Sequence, residues 1–89
     1  MSKPSEQEAD NYKANTAELT KLVSTEFRTR RKLVGATLEQ VADRANLNRA
    51  TYTKIDSGAQ LPRLDVFIRI CQVLYISPNA IIDKYEGDL

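Results

Sequence analysis

The feature that most constrains this chain is a succession of helix-start signals. Ser5 followed by Glu8, Asn15 by Glu18 and Thr37 by Gln40 all have the spacing of a capping box. In that motif two side chains, three residues apart, satisfy each other's open backbone amides at the start of a helix. Asn48 is a residue of the N-cap type, and Ser77 precedes Pro78, which suits a first helical turn that has no use for the missing amide proton. Alternation of apolar and polar residues, the mark of a half-buried strand, is scarce between these signals. The chain reads as all-α.

Apolar spacing then sets the helices. Leu19, Leu22, Val23 and Phe27 fall on one helical stripe, with Arg30 on it or at its edge. A first helix over about Thr16 to Val34 is expected, stopped by Gly35. A second, about Leu38 to Ala45, turns Leu38 or Val41 inward together with Ala42 and Ala45. Only Asn46 and Leu47, with or without Ala45, remain to connect it to a third helix, capped by Asn48 and stopped by Ser57-Gly58. A fourth begins at Arg63 or Asp65 and carries the stripe Leu64, Phe67, Ile68, Cys71 and Leu74. A fifth runs from about Pro78 to Lys84 through Ile81 and Ile82.

Five helices with tight connections enclose one small core, which suits a chain of 89 residues. Residues 16–84 are assigned to this domain, 1–15 to an N-terminal extension and 85–89 to a C-terminal tail. Ala9, Tyr12 and Thr16 continue the stripe of the first helix, so the extension is either helical or a frayed end.

Several functions are excluded by what the chain lacks. With no histidine, neither His-based catalysis nor a His-ligated metal can be built. Cys71 sits on an apolar stripe, where an inert, buried small hydrophobe is expected rather than a nucleophile. Three scattered glycines make no phosphate-binding loop. No enzyme, cofactor or metal centre is expected. No apolar run approaches the roughly 20 residues of a membrane span. The start, "MSKPSEQEADN", has no apolar secretory core, and a single cysteine fits a reducing, cytoplasmic setting.

The net charge of +1 hides a division. Residues 26–69 hold nine Lys/Arg against five Asp/Glu, a net +4, while residues 1–25 carry −1 and residues 70–89 carry −2. A basic excess in the middle is a weak pointer to an anionic partner. The third helix sharpens it. At about 100° per residue, Arg49, Ala50, Thr53 and Lys54 share one arc, and Tyr52 and Ile55 lie opposite, with Thr51 at their edge. The polar arc combines two cations with short side chains that let a backbone approach its partner closely. Such a face suits the DNA major groove, about 12 Å wide, where Arg pairs with guanine and the Ala and Thr methyls can touch thymine.

From about Val23 to Asp83 the chain resembles the lambda-repressor/Cro-type, or XRE-type, helix-turn-helix family. The matching residues are "FRTRRKLVGATLEQVADRANLNRATYTKIDSGAQLPRLDVFIRICQVLYISPNAIID". The marks are the Arg six residues before Thr37, "VA" in the second helix, the acid-x-Gly at Asp56-Ser57-Gly58, Pro62 ahead of the fourth helix, and "VLYIS". The resemblance implies a five-helix, lambda-repressor-like DNA-binding domain that reads double-stranded DNA through its third helix. Arg49, Ala50, Thr53 and Lys54 would contact base edges. Thr37, Asn48, Thr51, Ser57 and Arg63 would contact the DNA backbone, fixing register rather than sequence. Arg31 and Asp56 fall where the family has a buried ion pair. Leu38 departs from the pattern: many relatives carry a Gln there that braces the recognition helix or binds phosphate, and Leu can do neither. Tyr75 stands where a glycine is common, either covering the core or packing across a dimer interface.

Two classes of function fit these residues. One is a transcriptional regulator, a repressor, that binds a palindromic operator as a homodimer. Its interface is expected at Tyr75, Ile76, Ile81, Ile82 and Tyr85, because isoleucines on both sides of so short a helix exceed what one small core covers. The acidic end, with Asp83, Glu86 and Asp88, is best kept off DNA, which suits that placement. The alternative is an antitoxin-like module on the same fold that binds a protein partner, with DNA binding secondary. A chain of this length leaves no room for a ligand-sensing domain, which favours regulation by expression, oligomerisation or a partner.

Overall fold

A computed structural model of the chain describes the backbone of residues 6–87 and the side chains of residues 16–85. Five helices follow one another: α1 (Glu6–Leu33), α2 (Leu38–Arg44), α3 (Arg49–Ser57), α4 (Leu64–Leu74) and α5 (Pro78–Gly87). No strand occurs among the described residues. The first helix begins earlier than its stripe predicts, and Asn15 lies inside it rather than capping it. The physical reason is local. Glu, Gln, Ala and Lys on both sides of Asn15 are strong helix formers, and no glycine or proline interrupts the 28 residues. Ser5, the other expected cap, lies outside the described residues.

Helices α1 to α4 all end in the same motif. Gly35, Asn46, Gly58 and Tyr75 turn the chain with positive φ of 73°, 56°, 84° and 57°. At each, the next amide reaches back five residues: Ala36 to Arg31, Leu47 to Ala42, Ala59 to Lys54 and Ile76 to Cys71, at 2.8–3.0 Å. These bonds satisfy carbonyls that each helix end would otherwise leave open. Glycine and asparagine suit the left-handed region. Tyr75 does not, and its side chain there costs about 1–2 kcal/mol.

One core lies between the helices. Val23 and Phe27 of α1 meet Val41 and Ala42 of α2, Tyr52 and Ile55 of α3, and Phe67, Ile70, Cys71 and Leu74 of α4. The Phe27 and Phe67 rings lie 5.7 Å apart. Leu38 packs against the core from its edge, so Leu38 and Val41 both turn inward. The stripe of α4 differs from the expected one. Ile70 is fully buried, Ile68 is only half-buried, and Leu64 is 76% exposed beside an apolar groove that it lines with Leu19, Leu61 and Phe67. Burial holds the Cys71 thiol up at a pKa of about 11 and keeps it neutral.

α5 extends to Gly87, and its two isoleucines part company. Ile81 is 1% exposed and belongs to the core, while Ile82 is 43% exposed. Lys84 of α5 donates to Glu26 Oε1 of α1 at 2.6 Å and ties the last helix to the first.

Candidate functional site

The site is built on α2 and α3. Thr37 Oγ1 accepts from the Gln40 amide at 3.1 Å, and Gln40 Oε1 accepts from the Thr37 amide at 3.0 Å, closing the capping box. Because Thr37 uses its oxygen as acceptor, its hydroxyl proton can still be donated outward. Asn48 Oδ1 accepts from the Ala50 amide at 2.8 Å and caps α3, which leaves its amide nitrogen to donate. Four residues, Ala45 to Asn48, connect the two helices. Ala45 is buried and Leu47 is packed against the core, so the turn is held from beneath.

Above that turn α3 presents Arg49, Ala50, Thr53, Lys54 and Ser57, all exposed. Tyr52, Ile55 and Asp56 are buried on the other side, and Thr51 is half-buried at the flank. Thr53 donates its hydroxyl to the Arg49 carbonyl at 2.8 Å, so a methyl group is its simplest offering to a partner. Ser57 donates to the Lys54 carbonyl at 3.1 Å and must rotate to reach anything else. Arg63, at the start of α4, is 84% exposed and pairs loosely with Asp65 at 3.5 Å. A neighbour that the sequence reading missed is Glu39 of α2, whose carboxylate lies 3.9 Å from the Arg49 guanidinium. Both are exposed, so the pair is worth little. It does place an acid beside the outermost cation of α3, and two sequence-distant residues carry no signal of that meeting.

The cations of α1 behave differently. Arg31 meets the Asp56 carboxylate through two parallel bonds, Nε to Oδ1 at 2.9 Å and Nη2 to Oδ2 at 3.2 Å. It also donates to the Ala36 carbonyl at 3.2 Å. Tyr52 donates its hydroxyl to the same carboxylate at 3.2 Å. Arg28 donates to the Asp56 backbone carbonyl at 2.9 Å. Arg30 donates to the Leu74 and Tyr75 carbonyls, each at 3.0 Å, at the end of α4. A cation at a helix C-terminus is favourable because the carbonyl ends of the peptide dipoles gather there. Thus "RTRR" locks α1 to the ends of α3 and α4. The hydrogen bond to Asp56, together with its charge, outweighs burial and raises the Arg31 pKa. Burial, the Asp56 charge and the hydrogen bond to it raise Tyr52 well above the usual tyrosine range.

The residues expected at a subunit interface differ in exposure. Ile81 lies in the core of the single chain and has almost no surface left to offer a second copy. Ile76 packs against the core and Tyr85 is half-buried. Tyr75 is 79% exposed and covers no core, which removes the first of its two expected roles. Ile82 remains partly open. Among the described residues no three Cys, Asp or Glu gather where they could hold a metal ion. Among them, too, no single helix is long and apolar enough to cross a membrane.

A family model described as a helix-turn-helix domain matches residues 23–80, from the buried part of α1 through the first turn of α5. No curated protein and no solved structure matches the chain.

Proposed function

Because the chain belongs to the helix-turn-helix domain family, a DNA-binding kind, we propose that it is a sequence-specific transcriptional repressor of the lambda-repressor/Cro type. It acts in the cytoplasm and binds a palindromic operator as a homodimer. α3 enters the major groove, with Arg49, Ala50, Thr53 and Lys54 toward the bases. Thr37, Asn48, Thr51, Ser57 and Arg63 hold phosphates. One domain of this size makes few contacts, and two recognition helices in successive major grooves, about 34 Å apart, double them.

The observation that carries this reading is the exposed face of α3. An ordinary surface helix has no reason to combine short Ala50 and Thr53 with Arg49 and Lys54 on one arc, whereas a helix seated in a groove needs both closeness and donors. The capped starts of α2 and α3 add donors in Thr37 and Asn48. The alternative, a module that binds a protein partner, draws support from the exposed apolar residues Leu33, Leu64 and Tyr75.

The test compares Arg49→Ala with Arg63→Ala on an operator selected from random duplexes and on unrelated DNA, at two salt concentrations. Arg49→Ala is expected to weaken operator binding by about 1–3 kcal/mol and relax preference at one base pair per half-site. Arg63→Ala should weaken both DNAs alike and lower the salt slope by about one. Equal losses on both DNAs for Arg49→Ala would make it a phosphate contact, and no loss for either variant would favour the protein-binding alternative.

A further inference from the structure

Glu39 has no task in closing the start of α2. Thr37 and Gln40 already satisfy each other's backbone amides there, and Leu38 supplies the contact of that turn with the core. The Glu39 side chain, between them, is 66% exposed. A carboxylate in the first turn of a helix gains a little from the peptide dipoles, whichever neighbour it meets. The neighbour it does meet belongs to another helix: Oε2 of Glu39 lies 3.9 Å from Nη1 of Arg49, at the start of α3. Lys54, the other cation of the α3 arc, has no carboxylate at ion-pair distance among the described residues. An acid on a face that meets DNA is a cost, because the phosphates of DNA repel it.

Arg49 is the place where that cost has a use. It is the first residue of α3 and follows the cap Asn48. A long, flexible guanidinium so placed has two kinds of target on DNA. One is a phosphate oxygen, which is alike in every sequence, and the other is a guanine edge. The phosphate carries the full charge and attracts Arg49 from a distance, whereas the guanine edge is uncharged. A carboxylate beside the guanidinium repels the first target and is nearly indifferent to the second. At 3.9 Å it is too far to take a hydrogen bond from Arg49. The approach is to Nη1, so Nε and Nη2 remain as a two-pronged edge that fits guanine O6 and N7.

We propose that Glu39 is a positioning residue that sets DNA specificity through Arg49: its charge keeps Arg49 off the phosphates and leaves a guanine edge as the better partner. Glu39 thereby lowers affinity for DNA in general and raises discrimination between sequences. Such a trade is a common route to specificity, since a repulsion aimed at the wrong contact separates partners as well as an added attraction does. The small worth of the exposed pair to stability is no objection, because the effect is exerted on the phosphates rather than on the fold. The inference rests on the base-reading role given to Arg49 above and names the residue that enforces it.

The experiment uses the full chain. Wild type, Glu39→Gln, Arg49→Ala and the double variant are titrated with a selected operator, with operators changed at single base pairs and with unrelated duplex, at two salt concentrations. Glu39 is exposed, and Gln matches it in size and helix propensity, so the fold is retained. Glu39→Gln is expected to bind unrelated DNA more tightly, with a salt slope steeper by about one as Arg49 gains a phosphate. The ratio of operator to unrelated affinity should fall about tenfold, within the discrimination that one bidentate pair supplies. Preference should relax at the base pair that Arg49→Ala relaxes, and in the Arg49→Ala background Glu39→Gln should leave the ratio unchanged. A gain equal on both DNAs, or a ratio that falls as far without Arg49, overturns the role of Glu39 and leaves base reading by Arg49 standing. A ratio unchanged by Arg49→Ala itself overturns both.

Discussion

Arg28, Arg30 and Arg31 of α1 direct their donors into the protein, onto the ends of α3 and α4. Arg49 and Lys54 of α3 hold theirs in solvent. The two groups lie within one stretch of net positive charge and cannot be told apart by charge. Their difference is one of neighbours. The α1 arginines face open carbonyls and one buried carboxylate, whereas Arg49 of α3 has only the exposed Glu39 carboxylate at 3.9 Å. Three of the nine basic residues in 26–69, Arg28, Arg30 and Arg31, are therefore structural. The part left for DNA is carried by a small number of exposed side chains, and each should matter individually.

Arg31→Met gives the largest expected effect. It leaves Asp56 buried without its partner, and stability should fall by about 3–5 kcal/mol, read as a drop of more than about 10 °C in Tm. Arg49→Ala is its mirror image, with stability within about 0.5 kcal/mol of wild type and the loss confined to DNA. If thermal melting finds Arg31→Met as stable as wild type, the division between inner and outer arginines collapses.

The next effect sharpens the inner side of the comparison through pH. Tyr52 and Cys71 are neutral when protonated, and both hold their protons more tightly in the folded protein. Their contribution is complete below the ordinary values of 10.0 and 9.0 and is lost as pH rises toward the raised ones. Stability should therefore decline above about pH 9, by about 1.4 kcal/mol per pH unit for each group in its window. Denaturant unfolding from pH 8 to 11 checks it. Tyr52→Phe should flatten the decline above pH 10, and an unchanged slope would remove Tyr52 from the account.

The smallest effect concerns Tyr75, whose carbonyl Arg30 engages. Tyr75→Gly relieves the left-handed strain and should stabilise the fold by about 0.5–1 kcal/mol, the gain being reduced by the flexibility of glycine when unfolded. Chemical denaturation would show it. A loss of stability instead would mean that the exposed ring makes a contact in solution, and sedimentation of the same variant would show whether that contact is with a second copy.

Much of the fold was legible in the residues themselves. Thr37 with Gln40, Asn48, Gly35 and Gly58 act over three to five residues, so their capping chemistry is local and survives any tertiary context. The division of α3 into a polar arc and the Tyr52–Ile55 side arises from helix geometry alone. Asn15 misled because a cap pattern is only an option for the chain. Helix formers on both sides of Asn15 carry α1 straight through it, whereas Gly35 has already ended α1 before Thr37 begins α2.

The amino-acid sequence by itself determined five helices, the capped starts of α2 and α3 and the composition of the α3 face, because these depend on neighbours along the chain. Only the tertiary structure decided which cations are interior, that Ile81 rather than Ile82 closes the core, that Leu64 stands in water, and that Glu39 sits beside Arg49. Each of those outcomes depends on which element happens to cover a residue, and pairs such as Arg30 with Leu74 are brought together only when α1 and α4 pack.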